Sequence, residues 1–397
     1  MKTNVGVIFG GRSTEHEISV ISANQAMHAI DTDKYDVTPI FISKQGKMYT
    51  GPALMDIAAY RDMPSLISKC TEVYFKPEYG NYNLYTDKKS LFSTSSKAVT
   101  ALDVIIPVLH GANGEDGAFQ GILQTLGIPY AGCNVLSSAN GMDKITMKMI
   151  LDNQGIPVVD YVWFTDRQWY SEKDKIIEKI ESKLGYPVII KPSNLGSSVG
   201  IGRAIDRKEL IAKVEEAEKY SSRIIVEHMV EQLQEINCSV LGDANEYKTS
   251  VLEEPIKSGD FLSYEDKYMG GTKGAKGMQA SAKRIPAELS DELTKRIQFL
   301  AGETFRVLDC HGVSRVDVIV DGKDGNVYVN EINTIPGSLS FYLWEATGIT
   351  FAELMDKLIQ LALKRNRDAA HKTLSFDQNI FSMVGTKGAK GVKGGVK

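Results

Sequence analysis

The chain has 397 residues, room for two or three domains with their own cores, and its 43% hydrophobic and 24% charged content is that of an ordinary globular protein. A formal net charge of −4 argues against a general nucleic-acid binder, and no apolar run approaches the about 20 residues of a membrane span. Cys70, Cys133, Cys238 and Cys310 stand far apart with no CxxC pair, which argues against a disulfide frame or a zinc site and predicts reduced thiols in a cytoplasmic protein.

The opening run "VGVIF" (5–9) is continuously apolar and predicts a strand covered on both faces, not a secretion signal. A helix is expected over 15–30, a strand over 36–43, then an irregular stretch, then a buried strand within 102–111. A helix over 114–127 ends on Gly127, completing a doubly wound α/β domain over 1–137. A helix at 138–154 leads into a β-α-β unit holding "YVWF", a charged helix and "YPVIIKP"; this central lobe is expected to span 138–225. The third unit, 226–370, holds two strands, a helix over 288–307, a hairpin over 312–333 and a last helix over 350–366. Its loop 256–281 is too long for a plain connection and reads as a lid. Residues 371–397, ending in "GTKGAKGVKGGVK", are low-complexity and predict a disordered tail.

The hairpin carries the sharpest chemistry. A regular hairpin turning near Asp324 sets Asp317 opposite Glu331 and Arg315 opposite Asn333, with all four on one face. Facing carboxylates repel unless a cation lies between them, and oxygen ligands of this kind suit Mg²⁺ with phosphate completing its shell. A solvated face with surface ion pairs is the other reading. "VIIKPSNLGSSVGIG" ends a buried strand on Lys191 and continues into small residues, Ser197 among them, whose N–H groups can cradle phosphate. It is neither a P-loop nor a GxGxxG fingerprint. After the first strand, "GGRSTEHEIS" offers Thr14 and Glu17 as a capping box and Glu15 at a sheet's carboxyl edge, where ligands bind in open α/β sheets. His110 and Glu115 follow another strand; Lys144 stands on a helix, and Glu227 and Glu235 flank a strand ending.

Together these residues resemble the D-alanine–D-alanine ligase family of ATP-grasp enzymes. The matching motifs are "GG-x-S-x-E-x-E-I-S" at 10–19, "HG-x-x-GEDG" at 110–117, "MDK" at 142–144 and "KPS-x-x-GSSVG" at 191–200. "Y-x-x-KY" at 264–268, "R-x-D" at 315–317 and "EIN-T-x-PG" at 331–337 complete the family order. The resemblance implies an α/β and α+β fold, a Rossmann-like N-terminal domain followed by a two-lobed ATP-grasp fold. It also implies the reaction: ATP phosphorylates a first D-alanine, and the amine of a second attacks the acyl phosphate, giving a cell-wall dipeptide.

Carried over residue by residue, Lys144, Lys191 and Lys267 would hold ATP phosphates, Glu227, Met229 and Val230 the adenine, and Glu235 the ribose. Asp317, Glu331 and Asn333 would bind two Mg²⁺ ions, for which Mn²⁺ could stand in. Glu15 would meet the ammonium of the first D-alanine and link through Ser197 to Tyr268, with His110 beside the substrate. Arg315 would stabilise the tetrahedral oxyanion. After Pro336 the chain departs from the family by a shorter segment, leaving Ser338 and Ser340 for the carboxylate of the second substrate. No histidine stands between His228 and His311, where relatives that make an ester carry one, so peptide formation is expected. D-Serine or D-lactate as acceptor, or a nucleotide-binding regulator without turnover, are the alternatives. The resemblance further implies a homodimer, while charge and hydropathy lead to the expectation of no nucleic-acid or membrane partner.

Overall fold

The computed structural model describes residues 2–89, 94–196, 199–256 and 283–375. The first apolar run lies in β1 (Thr3–Gly10), buried from Val5 onward. Helix α1 (His16–Ala29) returns the chain to β2 (Tyr35–Ile42), parallel to β1. β3 (Met48–Thr50), α2 (Met63–Ser68), β4 (Thr71–Phe75), β5 (Asn83–Lys89) and β6 (Thr94–Ala101) follow. β7 (Val104–Val108) then pairs parallel to the other side of β1. The sheet order is β6-β5-β4-β3-β2-β1-β7. The stretch expected to be irregular is therefore an antiparallel extension of the sheet. Its edge strand β6 is exposed along most of its length, so no buried alternation marks it.

α3 (Ala118–Leu126) ends, as expected, on Gly127, whose φ of 74° suits a left-handed cap. The single helix expected at 138–154 is two, α4 (Val135–Met142) and α5 (Lys144–Asn153). Asp143 between them is extended, and its carboxylate accepts the Thr146 N–H at 2.7 Å, which caps α5. The expected capping box on α1 does not form. The helix starts at His16, and Glu17 instead reaches out to Lys44.

β8 (Tyr161–Thr165), α6 (Asp166–Lys183), β9 (Val188–Pro192), β10 (Gly202–Ala204), α7 (Arg207–Ala217) and β11 (Arg223–His228) build a four-stranded antiparallel sheet, β10-β9-β11-β8. The lobe boundary expected at 225 falls inside β11, so this sheet runs on to His228. β12 (Leu233–Gly242), β13 (Tyr247–Pro255), β14 (Lys283–Arg284), α8 (Asp291–Val307), β15 (Gly312–Asp321) and β16 (Val327–Asn333) follow, with sheet order β14-β13-β12-β15-β16. α9 (Phe341–Ala346) and α10 (Phe351–Ala370) come last.

Packing crosses the sequence divisions. Leu354, Met355, Leu358 and Ile359 of α10 share a core with Val5, Val7 and Phe9, so the last helix is bound to the first sheet. Met147 and Leu151 of α5 pack with Ile236, Val316 and Val329 of the third sheet. α5 thus presents Lys144 toward the hairpin of the third sheet. No described helix is long and apolar enough to cross a membrane.

Candidate active site

Asp317 faces Glu331 and Arg315 faces Asn333, the expected pairs. The route to them differs from a regular hairpin. Asp321 N donates to Asn326 O at 2.8 Å across the turn, which by itself would set Asn330 against Asp317. A bulge next to Asp317 takes up Asn330 as an extra residue, since Val318 pairs with Val329, and Glu331 moves into place. Asp317 is buried and receives Arg315 Nε at 2.6 Å, Arg315 Nη2 at 2.7 Å and Asn333 Nδ2 at 3.0 Å. Burial pushes its carboxyl up to about 6 against the pull of Arg315, and Glu331 and Glu235 add to the rise. Glu235 and Asn237 of β12 pair with Ile319 and Asp317, which puts them on the same face.

Across from the hairpin, Lys144 Nζ lies 3.3 Å from Glu331 Oε2 and donates to Leu195 O at 2.9 Å. Its loop is tied down: Lys144 N donates to Ser193 O, and Asp143 accepts from Ser193 Oγ at 3.0 Å and Arg223 Nη1 at 2.9 Å. Among the described residues no three His, Cys, Asp or Glu side chains close a metal cage. Two carboxylates and an amide on one face fit Mg²⁺, which takes few protein ligands and fills its shell with water and phosphate. A carboxyl raised to about 6 beside a second carboxylate is a place where a dication relieves repulsion.

Lys191 of β9 donates to Glu227 Oε2 of β11 at 2.7 Å and to the bulged Asn330 Oδ1 at 3.3 Å. The other oxygen, Glu227 Oε1, lies 3.2 Å from Lys148 Nζ, one turn beyond Lys144 on α5 and fully buried. Lys148 is absent from the residues the sequence singles out, although its spacing of four from Lys144 puts both on one helix face. Burial alone would raise the Glu227 carboxyl, but Lys148 and Lys191 bring it down to about 2. Beyond Glu227, Met229 N donates to Pro187 O at 3.1 Å, and Val230 joins Val159 and Ile319 in a small apolar cluster between the second and third sheets.

The third corner lies at the ends of β1 and β7. Glu15 is buried and accepts from Thr14 Oγ1 at 2.7 Å. A Cβ on Gly111 would lie 2.1 Å from Glu15 Oε2, and one on Gly196 would lie 3.6 Å from Oε1, so the carboxylate sits between the two loops. His110 Nδ1 is 2.9 Å from Ile335 O, and Nε2 is 3.0 Å from Ser22 Oγ. A carbonyl only accepts, so Nδ1 carries the proton and the Ser22 hydroxyl donates to Nε2, leaving Ser22 Oγ to accept the Ser338 N–H at 2.9 Å. Burial pushes His110 down to about 4, which suits this neutral ring. Glu115 accepts the N–H groups of Gly111 (2.8 Å) and Ile335 (3.2 Å), and burial pushes its carboxyl up to about 7. Both residues hold the turn after β16 in place.

In that turn Ser338, Leu339 and Ser340 all have positive φ (51°, 53° and 51°). A left-handed conformation costs roughly 1–2 kcal/mol per non-glycine residue. The Ser340 hydroxyl is buried without a hydrogen-bond partner among the described residues. Beside Arg315 stands a wall the sequence does not announce: Glu253 accepts from Tyr342 OH at 3.0 Å and Asn237 Nδ2 at 3.2 Å, while Lys283 lies 3.3 Å from Glu253 and 3.4 Å over the Tyr342 ring. The structure therefore brings together Glu15, His110, Lys144, Lys191, Glu227, Glu235, Arg315, Asp317, Glu331, Asn333, Ser338 and Ser340 around the meeting of three sheets. Ser197, Lys267 and Tyr268, with the expected lid beyond Ile256 and the tail from 376, lie outside the described residues.

Two family models match the chain, one described as the D-Ala D-Ala ligase N-terminus over residues 4–133 and one as its C-terminus over 150–360. The D-alanine–D-alanine ligase of Thermosipho melanesiensis is 39% identical over 380 residues, 96% of this chain and 98% of that protein. The VanG D-Ala:D-Ser ligase of Enterococcus faecalis superposes with a TM-score of 0.76 at 31% identity, over 91% of this chain and 100% of that one. The D-alanine–D-alanine ligase of Bacillus anthracis complexed with ATP gives 0.63 at 27% identity, over 92% and 99%.

Proposed function

The chain belongs to the D-alanine–D-alanine ligase family, and we propose that it joins two D-alanine molecules with conversion of ATP to ADP and phosphate. The observation that carries this reading is the shared face of Arg315, Asp317, Glu331 and Asn333, with Lys144 opposite and Lys191 and Glu227 one layer away.

In this reading ATP lies between the second and third sheets. Val230 and Met229 border the base, Glu227 accepts from it, Glu235 takes the ribose, and Lys144 and Lys191 take phosphate oxygens. Asp317, Glu331 and Asn333 would hold two Mg²⁺ ions, which when bound neutralise charge on the transferring phosphoryl group. Glu15 receives the ammonium of the first D-alanine, whose carboxylate attacks the γ-phosphorus as ADP leaves. The amine of the second D-alanine then attacks the acyl carbon, and the oxyanion develops beside Arg315 before phosphate departs. Lys267, and the link from Glu15 through Ser197 to Tyr268, are assigned on the family pattern alone.

His110 is neutral and both its ring nitrogens are engaged, so its contribution is to hold Ile335 and, through Ser22, the Ser338 N–H. The Ser340 hydroxyl, without a partner among the described residues and in a strained turn, supports a contact there with the second carboxylate. One observation favours a second acceptor: a similar solved structure is a D-Ala:D-Ser ligase. Competition between D-alanine, D-serine and D-lactate separates the acceptors. A regulator without turnover has no use for Arg315 beside a carboxylate pair. A homodimer in the cytoplasm, supplying dipeptide for peptidoglycan precursors, completes the proposal.

Incubation with ATP, Mg²⁺ and D-alanine should release ADP, phosphate and dipeptide in equal amounts. Release of ADP without dipeptide would overturn the substrate assignment. Glu331→Gln should keep the fold and lose at least about 10²-fold in turnover. Near-normal turnover in that variant would contradict the metal assignment.

A further inference from the structure

Lys148 is a lysine sealed from water, and nothing in the reaction as laid out above uses it. Its side chain is 0% exposed, and its partner is Glu227 Oε1 at 3.2 Å. Among the described residues neither Lys148 Nζ nor Glu227 Oε1 has a hydrogen bond of acceptable geometry. The contact is therefore one of charge, made behind the carboxylate on an oxygen closed off from solvent. On the other side Lys191 already donates to Oε2 at 2.7 Å. A carboxylate between two cations is an acceptor and never a donor. Its carboxyl, down to about 2 despite burial, agrees with this.

Val230, three residues after Glu227, packs with Val159 and Ile319, apolar side chains of the kind that line the site of a heterocycle. A base with an amino group at position 6 would donate to the Glu227 carboxylate. A base with an oxo group there would set two acceptors against each other. Without Lys148, the buried Glu227 would face one cation only, and taking up a proton would let it donate to an oxo group.

We propose that Lys148 is a specificity-determining positioning residue: clamped on Glu227 from behind, it keeps that carboxylate a pure acceptor and restricts the nucleotide to a 6-amino purine over a 6-oxo purine. This role presupposes Glu227 as the base contact of the ligase reaction proposed above.

The test compares ATP with ITP, which differ at position 6, in wild type, Lys148→Met and Lys148→Arg at saturating D-alanine. Lys148→Met should shrink the ATP-over-ITP ratio of kcat/KM by about tenfold, through the nucleotide KM, with the D-alanine KM unchanged. Lys148→Arg should restore the ratio, since it returns the charge. A Lys148→Met enzyme that keeps the ratio, or loses kcat equally with both nucleotides, would overturn the proposal. Should that variant fail to fold, the wild-type enzyme decides by itself with the triphosphate of unsubstituted purine riboside as a third nucleotide. The expected affinity order is ATP, then the unsubstituted purine, then ITP. ITP binding as tightly as the unsubstituted purine means that Glu227 can donate, and the proposal fails. If wild type makes no dipeptide, the ligase reading fails separately, and equilibrium binding of the three nucleotides still reads the same order.

Discussion

Glu115 and Glu227 lie at different corners of the site and answer burial in opposite ways. Glu115 takes its hydrogen bonds from two backbone N–H groups, and its carboxyl rises to about 7. Glu227 has a lysine against each oxygen, and its carboxyl falls to about 2. Backbone dipoles can satisfy a carboxyl's hydrogen bonds without outweighing the loss of water, whereas full charges outweigh it. The corner at Gly111 and Ile335 is therefore held by geometry and can change charge near neutral pH. The nucleotide corner is held by charge and cannot.

Glu227→Gln is the harshest way to break the contrast. It leaves Lys148 and Lys191 facing an amide in the interior, and should cost about 3–5 kcal/mol of unfolding free energy at neutral pH. Denaturant unfolding with an unchanged slope is the measurement. A loss below about 1 kcal/mol would mean that the lysines reach water in the variant and that Glu227 is not fixed by them.

What the sequence makes legible follows the same division. "VGVIF" and "VIIPV" declare buried strands because every residue in them is apolar or Pro. Arg315, Asp317, Glu331 and Asn333 are visible because a period of two carries them onto one face. The bulge that completes their register leaves no mark, since Asn330 is neither glycine nor part of the turn. Lys148 is hidden for a different reason: in "DKITMKMILDN" a lysine reads as solvated, and the carboxylate that keeps it buried arrives on another element. β6 is hidden because its polar, exposed residues have no face to declare, and β4 and β5 because each buries a single described residue, Val73 and Leu84, too few for an alternation.

His110→Asn sharpens the backbone-held corner. The folded ring is pushed down to about 4 from an ordinary 6.5, so it binds protons less readily folded than unfolded. Stability from this group is whole above pH 6.5 and is lost as pH falls toward 4, with a slope approaching about 1.4 kcal/mol per pH unit. The variant should lack that slope. His311, pushed down to about 3 by burial, adds the same sign in both proteins, so the difference between their curves isolates His110. Parallel curves would mean that the ring is not neutral in the fold.

Glu115→Gln should give the smallest effect, and one of opposite sign in an overlapping window. Here the folded carboxyl, at about 7, binds its proton more tightly than the unfolded one near 4.5. Its stabilising contribution is present below pH 4.5 and is lost as pH rises toward 7. Glutamine keeps an acceptor for the N–H of Gly111 or Ile335, so near pH 5 the variant should fall within about 1 kcal/mol of wild type. It should then gain on wild type as pH rises through 7, by no more than about 2 kcal/mol because the residue is only partly covered. Thermal midpoints of both proteins from pH 5 to 8 decide it. A variant that loses ground with rising pH would show Glu115 ionised throughout, and the two glutamates would then differ in their neighbours but not in their charge.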